Sequence, residues 1–524
     1  MDRRFVVAFL ISLLILLAYP HYLRWIGVAP RQEITQEKRG SPEIPVPTHA
    51  PRAESHPDKT FAFKNKLFDI LFSSRGGSVL LLKQGDTTLY KAGVTEGGIF
   101  GLKILYEGED LTEEVFQSEG PQREAVAPQF VYEKPGQFRL RKNFFVGGDL
   151  PTLVLEFEVE NLSDREKNFS LALNYALELG FENGREEALA KMVRLSGDEL
   201  LVTNYSSLKK KPLSSMEPME WQGLVKKYYT LLVKPDWKIV GQETHAEAGR
   251  LVSELKFTPL SVRPGEKAVA RVLIYAGPLH YGTLKKFNFG FERIFSHGAL
   301  GFLRVSLLNG LNLFHRLTGN YGVAILLITL LIKLLFTPLT HLSYQSMGKM
   351  QALQPKIKAL QKQHQKDPGR LNKEMMELYR RNRVNPMMGC LPLVLQVPIF
   401  ISFYQVLSGA VELRGAGLVG WIHDLSEPDR LFMFPTTLPF VGNAFNLLPL
   451  LMIGSMVWQQ QLTPQTAATP EQEKMMFLMP VIFGFVFYNL PSGLVLYWIV
   501  NNLLTIFHQL VIKRIPIIVH HEDA

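Results

Sequence analysis

From Val323 to Leu339 the chain reads Val-Ala-Ile-Leu-Leu-Ile-Thr-Leu-Leu-Ile-Lys-Leu-Leu-Phe-Thr-Pro-Leu, a run interrupted by a single charge. With its flanks it is long enough to enter a bilayer, where a helix satisfies every backbone group within one segment. Its Leu, Ile, Val and Phe residues contribute roughly −0.3 to −0.6 kcal/mol each, about −4 to −7 kcal/mol together. Lys333 costs about 2.5 to 3.5 kcal/mol on insertion scales of the same kind. The segment therefore inserts, and the lysine needs water, a partner or a function.

Similar apolar runs follow at about 390–411, 438–461, 475–489 and 492–512, after a first at 319–340. A further one lies at the N-terminus, where Arg3 and Arg4 precede a stretch beginning at Phe5. No clean Ala-x-Ala site follows it, and His21, Tyr22, Arg24 and Trp25 suit a membrane interface, so residues 1–28 read as an uncleaved anchor. Six spans result. Residues 29–59 carry six prolines among charged residues and read as an extended tether. Residues 60–280 change texture to short alternating strands such as Thr152-Leu-Val-Leu-Glu-Phe-Glu-Val, with turn signals at Arg75-Gly-Gly and Pro264-Gly-Glu. This predicts one large β-sandwich, read as a folded scaffold, although such a domain could also bind sugar or peptide. His245 and Glu247 lack the second histidine of a zinc-protease motif, and no metal site is predicted. Residues 298–317 predict an amphipathic interfacial helix, with Leu303, Leu307, Leu311 and Phe314 at helical spacing.

Loop charges set the orientation. Residues 341–389 hold ten Lys or Arg against Asp367, Glu374 and Glu377, whereas 412–437 hold Arg414 and Arg430 against four acids. The positive-inside rule puts 341–389 in the cytoplasm, and hence both termini inside and the β-domain outside. A short cytoplasmic tail, 513–524, begins at Lys513 and Arg514. The net charge of +9 agrees with basic cytoplasmic loops. Cys390, the one cysteine, excludes an intramolecular disulfide framework and reads as a small apolar residue at a helix end.

Within 341–389 the pattern predicts a helical hairpin, 346–363 and 369–383, broken at Asp367-Pro-Gly. Met347, Met350, Met375 and Met376 either offer an adaptable apolar surface or pack the two arms together. Thr329 sits one turn before Lys333 on the same face, and Gln396, Asn501, Asn502 and Thr505 are polar positions in neighbouring spans. If these converge they line a wet cavity in the inner half of the membrane. Three readings compete for it. A transporter site lacks an internal repeat or a second buried charge. An intramembrane enzyme lacks paired acids, a histidine pair or a phosphate-binding loop. A hydrophilic slide for the polar flank of an incoming peptide needs only a static cation in a water-filled space.

The stretch Thr329 to Pro338, with Met347-Gly-Lys-Met, Leu353-Gln-Pro-Lys-Ile, Val384-Asn-Pro, Gly389-Cys-Leu-Pro, Gln396-Val-Pro-Ile-Phe, Trp421-Ile-His-Asp-Leu, Met479-Pro-Val-Ile-Phe and Pro491-Ser-Gly-Leu-Val-Leu-Tyr-Trp, resembles the YidC/Oxa1/Alb3 family of membrane protein insertases. The resemblance runs from about residue 300 to 512, and the anchor and outer β-domain are similar to the Gram-negative bacterial type. It implies a polytopic α-helical membrane protein of six transmembrane helices. A five-helix insertase core (319–512) would join a large extracytoplasmic β-supersandwich domain. It further implies an inner-membrane insertase and chaperone for nascent membrane proteins, working alone or beside the Sec translocon (SecYEG, SecDF), with no cofactor, no metal and no enzyme chemistry. Ribosome or signal recognition particle contacts and membrane lipids belong to the same implication, and DNA does not. Lys333 matches a groove position usually held by arginine, and Thr329, Gln396, Tyr497, Trp498 and Asn501 fall at or near groove positions. The hairpin matches the substrate-capturing region. Tyr497 and Trp498 also read as packing aromatics, and Gln396 as a helix bridge. The alternative is a small-solute transporter with a cationic site at Lys333.

Overall fold

The structure, a computed structural model of the chain, describes residues 59–514 apart from 85–86, 92–100, 120–126, 180–183, 248, 365–366, 390, 439–441 and 464–469. The expected N-terminal anchor and Pro-rich tether lie outside the described residues, save Lys59 at the tether's end, as do Cys390 and the tail from 515. The chain divides into two compact units, a β-rich one ending at Ile294 and a helical one running from Phe295.

In the β-rich unit an antiparallel nine-stranded sheet and a seven-stranded sheet enclose the core, beside a four-stranded sheet formed by 60–91. The strand Thr152–Asn161 shows how the sequence specifies this sandwich. Leu153, Leu155, Phe157 and Val159 alternate inward and are buried, as a period of two requires for a half-solvated strand. Glu156, Glu158 and Glu160 alternate outward. There Arg271, Arg141, Lys267 and Arg139 of the neighbouring strands meet them across the ladder. Exposed pairs of this kind add little stability individually, but they give the outer face a charged, closed surface. Between the sheets Gln222 donates to Ser253 Oγ at 2.7 Å, and Thr244 shares a hydrogen bond with that hydroxyl at 2.8 Å.

Lys142 is the unit's anomaly. It is buried, its Nζ donates to the Gly76 carbonyl and lies 4.7 Å from the centroid of the Phe116 ring. Gly76 and Gly77 turn with φ of 64° and 49°. A Cβ on Gly77 would stand 3.1 Å from Phe130 Cβ and 3.3 Å from the Lys142 stem. Backbone and lysine are thus fitted to one another at a turn that glycine allows.

The helical unit contains α1 (Gly301–Thr318), α2 (Tyr321–Gln363), α3 (Pro368–Arg381), α4 (Leu391–Gly409), α5 (Leu447–Leu462), α6 (Pro470–Phe487) and α7 (Ser492–Arg514). α1 buries Leu307, Leu308 and Leu311 and leaves Phe302 and Leu317 exposed. Arg304 on α1 reaches α4 through Gln405 Oε1 at 2.9 Å. Asn320 caps α2 by accepting from the Val323 N–H at 3.1 Å. Among the described residues, α2 and 492–511 of α7 are long and apolar enough to cross a membrane, and Val394–Gly409 and Met475–Phe487 are shorter apolar helices.

Two elements differ from the sequence reading. The span at 319–340 and the first hairpin arm are one continuous helix of 43 residues, roughly 65 Å long at 1.5 Å per residue. Residues 340–347 hold no breaker, and Pro338 removes only one backbone donor. Thr337 and Thr340 hydroxyls bond back to the Lys333 and Phe336 carbonyls at 2.8 Å each around it. The second difference is at 438–446, expected inside a span. Phe432–Leu438 and Gly442–Phe445 instead form a two-stranded ribbon in which Phe432 stacks on Phe445 at 4.8 Å, and α5 begins at Leu447.

Candidate functional site

Lys333 lies on the α2 face that meets α7. On α7, Trp498, Asn501 and Thr505 recur at helical spacing and share one face. Together with Gln396 of α4 and residues of α5 and α6 they border a cavity of about 400 Å³. Lys333 Nζ donates to Thr505 Oγ1 at 2.6 Å, and that hydroxyl donates in turn to the Asn501 carbonyl at 2.6 Å. The hydroxyl's proton is thus committed to its own helix and its lone pair faces the ammonium. No aspartate or glutamate is among the described residues bordering the cavity. Leu331, Leu334 and Leu335, on other faces of α2, are 56%, 62% and 71% exposed. A cation, polar amides and the apolar side chains of Ile332, Phe336 and Leu339 border one cavity.

A polar seam holds the far wall. Asn502 Nδ2 donates to Ser455 Oγ at 2.9 Å, and Gln509 Nε2 to Thr463 Oγ1 at 3.0 Å. The first bond joins α7 to α5 and the second joins it to Thr463, the residue that follows α5, and Asn502 and Thr463 also border the cavity.

The residues singled out from sequence divide among different places. Lys333, Gln396, Trp498, Asn501 and Met347 border the cavity. Tyr497 is 1% exposed, accepts a hydrogen bond from Gln396 Nε2 and stacks on Phe403 at 4.6 Å, so it backs the wall. Trp498 packs in an aromatic group with Phe400, Phe483 and Phe487. Thr329 is also buried, and its hydroxyl donates to the Ile325 carbonyl at 2.6 Å within its own helix. Met350 joins Leu353, Ile357, Tyr379 and Val384 in the hairpin's small core, with Met375 packed against it, while Met376 is exposed. Further cavity residues outside the sequence-based selection include Gln459 and Gln460 of α5 and Thr463 just after it. The Gln459-Gln460-Gln461 triplet at the end of an apolar helix was the available signal. Among the described residues no group of three or more His, Cys, Asp or Glu could hold a metal ion.

A family model described as 60Kd inner membrane protein matches residues 313–518. The membrane protein insertase YidC of Pelobacter propionicus is 42% identical over 57% of this chain, and the chain spans 54% of that relative. The membrane protein insertase YidC of Geotalea daltonii is 31% identical over 98% of this chain and 99% of that protein. The chain belongs to the YidC family. A crystal structure of an active YidC insertase with its first transmembrane domain resolved is similar at 21% identity, covering 87% of this chain and 92% of that one, with a TM-score of 0.39. YidC proteins are membrane protein insertases rather than a class of enzymes. Membership makes this chain an inner-membrane insertase acting on nascent membrane proteins, and nothing among these relatives favours the transporter alternative.

Proposed function

We propose that the cavity beside Lys333 is the groove through which this insertase passes its substrates. The observation that carries the reading is the Lys333 ammonium at a cavity that mixes amides with apolar side chains such as Phe336 and Leu339 and has no described acid. An acidic or polar flank drawn towards the groove gains from the cation. Two opposite charges about 4 Å apart attract by roughly 4 kcal/mol at an effective dielectric near 20. The apolar part of the same segment leaves sideways into lipid, where each Leu or Ile contributes roughly 0.3 to 0.6 kcal/mol. The protein supplies a lowered barrier, and hydrophobic transfer supplies the driving force.

In this reading Lys333, Gln396, Asn501 and Trp498 contact the passing segment, while Tyr497 and Thr329 set the shape of the wall. The hairpin at 341–389, with Met376 exposed, captures substrates on the cytoplasmic side. Six spans, cytoplasmic termini and an outer β-domain are supported by the loop charges. The groove then opens to the cytoplasm and to lipid, and Sec translocon subunits adjoin it.

The test places photo-crosslinkers at Asn501 and Gln396 during translation of a short single-span protein. Crosslinks to the nascent chain support the groove. Their absence, with insertion unchanged after depletion of this chain, would sink it.

A further inference from the structure

The cavity wall holds hydrogen-bond donors in search of acceptors. An ammonium has three N–H donors, and among the described residues Lys333 gives one, to Thr505. With no described carboxylate on the wall, a partly desolvated cation is left without a counter-charge, which is costly in a medium of low dielectric. A nascent chain offers that charge only while it passes.

The resident ligand must therefore accept hydrogen bonds, carry a net negative charge and be apolar beyond its head. The last requirement comes from Ile332, Phe336, Leu339 and Met479, apolar side chains that border the same cavity. We propose that between substrates the groove holds an anionic phospholipid. Its phosphate diester oxygens receive the free N–H groups of the Lys333 ammonium, and its acyl chains lie along Ile332, Phe336 and Leu339 of α2. A glycerol head leaves hydroxyls for the Asn501 and Gln396 amides. A choline head instead brings a second cation towards Lys333 with no described acid to receive it, so the site prefers phosphatidylglycerol to phosphatidylcholine. The proposal rests on the groove reading, in which this cavity faces lipid, and it makes substrate admission an exchange: the polar flank of the incoming chain replaces the phosphate.

The test uses the full chain in phosphatidylcholine nanodiscs with a trace of phosphatidylglycerol carrying a photoactivatable group near its head. Expected labelling falls on α2 and α7 near Lys333 and Trp498, and unlabelled phosphatidylglycerol competes for it while phosphatidylcholine does not. Lys333→Gln should lower it about tenfold, as loss of a charge-assisted hydrogen bond predicts. Thr505→Val should retain labelling, because it frees a donor of Lys333 without removing the charge. Equal labelling of the Lys333→Gln variant, or equal competition by both lipids, would overturn the proposal. Insertion of a single-span substrate into the same nanodiscs is read in parallel. Normal insertion with Lys333-independent labelling defeats the lipid site alone, whereas failure of the wild-type chain to insert defeats the groove reading beneath it.

Discussion

Asp429 caps α5 from outside the helix, its Oδ2 accepting the Leu447 N–H at 2.8 Å. The same oxygen accepts from the Leu448 N–H at 3.0 Å and from Trp421 Nε1 at 3.1 Å. Asn446, the residue in the N-cap position, makes no side-chain cap bond; its Nδ2 donates to the Tyr488 carbonyl at 2.7 Å. One acid thus serves the orphan donors of a helix whose own cap residue is committed to α6's end. Asp429→Ala should cost about 1–2 kcal/mol, the usual range for a lost cap. Faster hydrogen exchange at Leu447 and Leu448 would report it, and Asp429→Asn, which retains an acceptor, should lie between.

Lys333→Arg should leave insertion of a single-span substrate close to normal, since charge and reach are kept even though the hydrogen-bond geometry changes. Lys333→Glu should reduce insertion severely, because it reverses the charge in the groove. An insertion assay that found Glu as good as Lys would show that the cation is not what the substrate meets.

Thr329→Val should be nearly silent. The Thr329 hydroxyl donates to its own helix at 2.6 Å and does not border the cavity, and isosteric loss of such a bond costs on the order of 1 kcal/mol or less. Asn501→Leu removes a polar group from the cavity wall and should impair insertion more than Thr329→Val does. Rates measured side by side on one substrate separate the wall from its backing.

Burial pushes the Lys142 ammonium down to about 7, against an ordinary value of 10.5. Because the folded state gives up this proton before the unfolded state does, the group makes the β-rich unit gain stability as pH rises from about 7 to 10.5. Below about 7 both states hold the proton and the dependence vanishes. Lys142→Met should stabilise the unit at pH 7 by about 1–3 kcal/mol, after the loss of the Gly76 acceptor's partner is allowed for. It should also flatten the pH profile between about 7 and 10.5. Urea unfolding followed at several pH values checks both.

The β-sandwich texture and the cation's place were legible because each rests on local periodicity. Strand alternation at 152–161 and the isolated Lys333 in an apolar run are visible within a dozen residues. The pairing of Lys333 with Thr505 joins residues 172 apart, and no local pattern encodes it. Thr505 appeared from sequence only as one of several polar positions. The continuity of α2 was missed because charge and methionine content suggested a boundary, although nothing between Thr340 and Met347 breaks a helix. The ribbon at 432–445 was missed for the opposite reason: 438–461 reads as one membrane-apolar run that takes in Phe445, whereas the Phe445 ring stacks on Phe432 across two strands.

The unbroken course of α2 has a mechanical consequence. Two prolines stand inside it, Pro355 and, nearer the lysine, Pro338, and at each the ladder of backbone bonds has lost a rung. On the tip side of Pro338 lie 25 residues, roughly 38 Å of helix, and five residues separate it from Lys333, roughly 8 Å. The helix is a lever of unequal arms, about five to one. A swing of about 5 Å at the tip of the hairpin would arrive at the lysine as about 1 Å, a step of the size that makes or breaks its bond to Thr505.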